Sequence, residues 1–187
     1  MKAAPKTPWN PARLDMRAFA QAGAQLAMDE PLTQFDRLRA EVSPGADQAG
    51  WMVSWIAQGE LRPGARGAEP SVWLHLQAQA QLPLACQRCL APVPVALVVD
   101  RWFRFVNDEA TAAAEDEDSE EDVLALEPRP NLRELIEDEL LMELPLVPMH
   151  ETCPQPVVMA VGAVDGVADA GEPPRKNPFA ELAKLKK

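Results

Sequence analysis

Residues 72–86, VWLHLQAQAQLPLAC, carry Val72, Leu74, Leu76, Ala78, Ala80, Leu82, Leu84 and Cys86 at even positions, with His75, Gln77, Gln79 and Gln81 between them. A period of two sends alternate side chains to opposite faces, so this is a long strand with one buried face and one wet face. After a short break, Val93, Val95, Leu97, Val99, Phe103 and Phe105 share one parity, with Asp100 and Arg104 on the other. Arg101 interrupts the apolar face, and Pro92 and Pro94 confine the start of this strand to an edge or bulge. The CQRC at 86–89 joins the two strands as an antiparallel hairpin. Upstream, Trp51, Val53, Trp55, Ala57 and Leu61 alternate likewise, and RPGARG at 62–67 supplies the turn into the next strand. Three consecutive strands make a meander.

Helical spacing flanks it. Residues 15–22 and 32–40 each predict a short helix, with Asp15 and Thr33 in N-cap positions. Residues 131–144, NLRELIEDELLMEL, predict the best helix: Asn131 caps it and Glu134 completes a capping box. Leu132, Leu135, Ile136, Leu140 and Leu144 form one stripe, leaving Glu137, Asp138 and Glu143 outward, and the stripe packs on the sheet. The expected class is therefore α+β: an antiparallel β-meander or small open barrel, one amphipathic helix on the sheet and short N-terminal helices.

The remaining segments set the domain plan. EDEDSEED at 115–122 packs seven acidic groups into eight residues, which repel one another and bury nothing. It reads as a disordered connector or, more sharply, as a mimic of nucleic acid for a basic partner. The plan is a flexible N-terminus over 1–12, a single domain over 13–153 with a disordered acidic loop at 108–126, and an extended tail over 154–187. That tail ends in NPFAELAKLKK, a short basic helix with Phe179, Leu182 and Leu185 on one side.

The 187 residues are 47% hydrophobic but only 5% aromatic, without tyrosine, so the core rests on Leu, Val and the five tryptophans. A net charge of −11 makes the chain as a whole a poor polyanion binder. A local basic face is available from Arg62, Arg66, Arg88, Arg101 and Arg104 around the meander and from Lys176, Lys184, Lys186 and Lys187 at the C-terminus. Three cysteines make no disulfide framework, prolines stand where an apolar signal core belongs, and no stretch has the length of a membrane span. A reducing cytoplasm is the expected compartment.

There, a close cysteine pair points to metal or redox chemistry. A Cys-x-x-Cys turn aims two thiolates at one position, the ordinary half-site of tetrahedral zinc. His150 and Cys153 offer a second pair, so Cys86, Cys89, His150 and Cys153 compose a candidate Cys3His site for one structural zinc. The competing reading keeps Cys86 as a small core hydrophobe and His150 as a loop residue. Thiol redox catalysis lacks its usual activating helix, because a strand pattern with two prolines follows Cys89. With no glycine-rich phosphate loop, no serine elbow and two histidines in all, no enzyme is expected.

The blocks LACQRCLAPVPV, NLRELIEDELLMELPLVPMHETC and NPFAELAKLKK, in that order, resemble the bacterial large ribosomal RNA subunit accumulation protein family, YceD, over residues 10–187. The resemblance implies a cytoplasmic, membrane-free factor needed for synthesis, processing or stability of 23S ribosomal RNA. Some branches of the family carry a further cysteine-rich ending that looks zinc-binding, whereas Cys153 is the only downstream cysteine here. Two partner classes follow. One is rRNA or the precursor large subunit, held by the basic residues. The other is a basic ribosomal protein or an rRNA-processing enzyme, held by the acidic loop and helix of a protein adaptor.

Overall fold

The computed structural model describes residues 9–46, 50–63 and 69–154. Its frame is a five-stranded sheet in the order β1-β2-β3-β4-β5. Here β1 is Gln25–Pro31, β2 Met52–Arg62, β3 Ser71–Ala85, β4 Pro92–Val106 and β5 Asp122–Ala125. The first four strands pair antiparallel and β5 lies parallel to β4, so the class is α+β with an open sheet rather than a closed barrel.

The alternation along β3 and β4 sorts the faces as expected. Val72, Leu74, Leu76, Leu82 and Leu84 are buried with Leu97, Val99, Phe103 and Phe105, beside Val53, Trp55 and Ala57 of β2. Helices α1 (Met16–Gln21), α2 (Asp36–Ala40) and α4 (Leu132–Met142) contribute Phe19, Leu38, Leu132, Ile136 and Leu140 to the same core. Side chains of this size each gain about 1.5–3 kcal/mol on burial, which is what fastens the helices to the sheet. Gly59 permits the closest approach. A Cβ there would stand 2.6 Å from the Phe19 ring and 2.9 Å from the Ala20 backbone, so only glycine lets α1 lie on β2.

Asp15 caps α1 through the Ala18 N–H (3.0 Å), and Asn131 caps α4 through the Arg133 N–H (3.1 Å). Other expectations need correction. Thr33 caps nothing: Leu32–Gln34 form a 3-10 turn, and α2 starts only at Asp36. Its exposed N-terminal donors are met from across the fold, where Glu137 Oε1 accepts from Arg37 N–H (2.7 Å) and Leu38 N–H (3.0 Å). Glu137 therefore faces inward and is buried, because an anion at a helix N-terminus is favourable there.

The acidic stretch is not a disordered loop. Asp108 caps α3 (Glu109–Asp116) through the Thr111 N–H (2.9 Å), and β5 then pairs with the edge of β4. Two arginines engage three of its carboxylates. Arg104 reaches Glu115 (2.6 Å), Glu121 (3.0 Å) and Ser119 Oγ (2.9 Å), and Arg101 reaches Asp122 (2.9 Å). Of the flexible N-terminus, residues 9–12 are likewise ordered. Trp9 packs edge-on against Phe19 at 5.3 Å, and Asn10 caps a 3-10 turn over Pro11–Arg13. The extended tail with its basic helix lies outside the described residues, apart from Pro154.

Candidate metal centre and basic sites

The break between β3 and β4 is a tight knuckle. Cys86 N–H donates to Ala91 O (3.0 Å) and Leu90 N–H to Cys86 O (2.8 Å), closing the turn over both cysteines. Leu90 adopts φ +61°, a left-handed conformation costly for a branched side chain, which lets the chain reverse within the turn. The loop after α4 returns to this knuckle, where Gln87 N–H donates to Pro148 O (2.9 Å).

That return brings the second half-site home. One donor atom from each of Cys86, Cys89, His150 and Cys153 lies within 4.8 Å of all the others. His150 Nε2–H donates to Pro92 O (3.1 Å), which fixes the tautomer and turns the Nδ1 lone pair to the cluster, 3.5 Å from Cys89 Sγ. An outer hydrogen bond of this kind is the usual partner of a metal-ligating histidine. Cys86 is fully buried, and the other three are half-buried. Burial pushes the Cys86 thiol up. The backbone N–H groups of His150, Cys89 and Arg88, with the His150 ring, outweigh it and bring the pKa down to about 5. Cys153 is driven the other way, by burial and by its hydrogen bonds to Cys89 and Cys86.

The group fits a tetrahedral ion. Zinc–ligand bonds of 2.0–2.3 Å place neighbouring donors about 3.3–3.8 Å apart, so donors that all lie within 4.8 Å of one another need to close by at most about 1 Å to complete the shell. Three thiols and one imidazole are also a soft donor set that selects zinc over hard, oxygen-seeking cations.

Among the described residues, Arg62, Arg88, Arg101 and Arg104 of the expected basic face do not gather as free cations. Arg101 and Arg104 are taken up by α3, β5 and the residues between them, and burial of the Arg104 guanidinium is outweighed by Glu115 and Glu121. Arg62 pairs with Glu60 and lies against two tryptophan rings. Arg88 stands exposed on the knuckle, and no described carboxylate pairs with it. Arg66, Lys176, Lys184, Lys186 and Lys187 lie outside the described residues.

One cluster escaped the alternation pattern, which marked its residues only as the wet face. On the outer side of β3 and β4, the His75 and Trp102 rings stack at 4.2 Å with 3° between planes, and Trp73 meets Trp102 edge-on at 6.5 Å. The Arg62 guanidinium sits 4.0 Å from the Trp73 centroid and 4.1 Å from that of Trp102. The available signal was the alternation itself, since β3 and β4 pair Trp73 with Arg104 and His75 with Trp102.

Among the described residues no helix is long and apolar enough to cross a membrane. A family model described as "Large ribosomal RNA subunit accumulation protein YceD" matches residues 74–186, well over half of the chain. No curated protein and no solved structure matches it.

Proposed function

The chain belongs to the family of large ribosomal RNA subunit accumulation proteins, YceD, and from that premise we propose that it is a non-catalytic cytoplasmic factor that supports 23S rRNA by binding the rRNA or its precursor. The observation that carries this reading is the overlap of two independent features. The matched stretch, 74–186, contains all but the first three residues of the β3–β4 hairpin, all four metal donors and α4. We assign one structural zinc to those donors. Bound there, the ion would tie the knuckle to the loop after α4, supplying binding energy to the fold and no redox chemistry. Arg88, exposed on the same knuckle, suits a phosphate oxygen.

A second reading has its own support. Beyond the carboxylates that Arg104 engages, Glu117, Asp118 and Glu120 remain exposed on one short turn, a surface for a basic ribosomal protein or a processing enzyme. Removing residues 115–122 would not test it cleanly, because Glu115 and Glu121 hold Arg104. Reversing Glu117, Asp118 and Glu120 to lysine leaves those pairs intact.

The deciding experiment is crosslinking in growing cells, followed by tagged purification with RNA sequencing and protein identification together. Direct crosslinks to 23S rRNA that persist in the triple-lysine variant are expected. Crosslinks to protein alone, lost in that variant, would replace RNA binding by the adaptor role.

A further inference from the structure

We propose that the turn at Leu90 and the loop after α4 form a homodimer interface, in which this surface closes on the same surface of a second copy of the chain. The inference stands apart from the RNA-binding reading and needs nothing from it.

Leu90 is the first sign. Its φ of +61° lies where glycine is at ease and leucine is strained. The hydrogen bonds that close the turn run between backbone atoms, Cys86 N–H to Ala91 O and Leu90 N–H to Cys86 O, so glycine would serve the turn as well. Packing within the chain does not offset the strain, since Leu90 is 75% exposed. Strain kept without a gain inside the fold points to a use outside it.

Leu90 does not stand alone. Gln87 N–H donates to Pro148 O (2.9 Å), Cys89 Sγ meets His150 Nδ1 (3.5 Å), and His150 Nε2–H donates to Pro92 O (3.1 Å), so the loop after α4 lies against the knuckle. That loop exposes three more large apolar residues: Leu146 at 100%, Val147 at 54% and Met149 at 49%. With Leu90 they present on the order of 500 Å² in one patch, near the upper limit for a chain that stays alone. Closed on a second copy, the patch would bury about 1,000 Å² in total, which is where a specific interface begins. The unbranched Met149 side chain can mould itself round a protruding leucine of the other copy.

The rim selects a copy of the same chain. Arg88 on the knuckle and Glu151 on the loop are both exposed, and neither has a partner of opposite charge among the described residues. In a two-fold pair residue i meets j while j meets i, so a contact between Arg88 and Glu151 of the other copy is made twice. A uniformly basic or uniformly acidic partner would set one of these two charges against its like. The guanidinium carries five N–H donors, so a rim pair with Glu151 leaves others free for a phosphate.

The test is sedimentation velocity on the full chain, purified without chelator, over about 1–200 µM. The mass should pass from one chain to two, with half-association on the order of 10 µM, as suits an interface of this size. L146E should weaken association about tenfold or more and leave Tm unchanged, because Leu146 is fully exposed in the single chain. L90G separates the turn from the surface: Tm should hold or rise as the strain is relieved, while association weakens by about tenfold. R88E should weaken association, and R88E combined with E151R should bring it back to within about threefold of the parent. Rescue by exchanging two charges within one chain is the signature of a second copy. A single-chain mass up to the highest concentration overturns the proposal, as does a pair whose affinity survives L146E and L90G. Loss in R88E without rescue in the double variant overturns the two-fold pairing. The rRNA crosslinks in cells are read separately, since a single chain can give them equally well.

Discussion

The two segments that flank β4 are held by opposite means. Before the strand, the knuckle at 86–91 is fixed by backbone hydrogen bonds and by three thiols and an imidazole gathered within 4.8 Å. After it, the segment from Asp108 to Ala125 is fixed by charge pairs, with Arg104 and Arg101 each set against carboxylates from α3, β5 and the residues between. The first arrangement is local in geometry and resistant to salt. The second is spread over partly exposed ion pairs that water and salt screen. One strand thus carries a stiff corner at one end and a salt-sensitive cover at the other.

The largest expected effect comes from breaking the knuckle. Protein purified without chelator should carry one zinc per chain by elemental analysis. Cys89→Ser should reduce that to near zero and lower Tm by about 10 °C or more, because metal binding in such a site is folding free energy. The α3–β5 amides should follow only the global change. A metal-free preparation of full stability would show that the knuckle stands on packing alone.

Much of this corner could be seen in the chain beforehand. Cys86 and Cys89 announce themselves by spacing, His150 and Cys153 repeat it, and the apolar stripe of α4 explains how the second pair is carried back. The long strands were legible too, because one fully buried face imposes a strict period of two over β3 and β4. The edges were not. In β1, QLAMDEP buries only Glu30, and β5 is four residues long, so neither writes a pattern. The acidic run misled because its compensating charge, Arg104, stands 11 residues before Glu115 and 17 before Glu121 in sequence. Glu137 misled for the same reason, since the helix end it caps lies about a hundred residues upstream. The stacked corner was hidden by the rule that found the strands, which ranks the outer residues as merely wet.

A smaller effect comes from breaking the charge-paired side. Arg104 is mostly buried, and Arg104→Met would leave Glu115 and Glu121 without their partner. The expected cost is about 1–2 kcal/mol, more than an exposed pair and less than the metal. Hydrogen exchange should place it: the Val123 and Leu126 amides, which bond Asp116 and Val106, should open faster. The Cys86 and Leu90 amides of the knuckle should not change. Raising salt should reproduce the pattern in the parent protein. Equal acceleration at both ends would mean that β4 transmits strain and that the two ends are one unit.

The smallest effect tests the helix that serves both ends. From α4, whose C-terminal loop leads to His150, Glu139 points at Arg101 (3.8 Å), which is itself bonded to Asp122. Burial raises the Glu139 carboxyl above its ordinary value. Arg101 opposes that rise, and the neighbouring Asp122, Asp138 and Glu143 add to it. A raised acid holds its proton more tightly in the folded chain than in the unfolded one. Its favourable contribution is therefore complete below the ordinary carboxylate pKa and is lost as pH climbs through the raised value. At neutral pH the ionised Glu139 is a net burden. Glu139→Gln should stabilise the protein there by about 0.5 kcal/mol, since Arg101 keeps Asp122, and the advantage should vanish as pH falls through the carboxylate range. Urea unfolding of parent and variant at matched pH values measures the difference, in which any acid release of metal common to both cancels. A variant less stable than the parent at pH 7 would show that the Arg101 pairing outweighs burial, and that α4 braces the acidic cover instead of merely tolerating it.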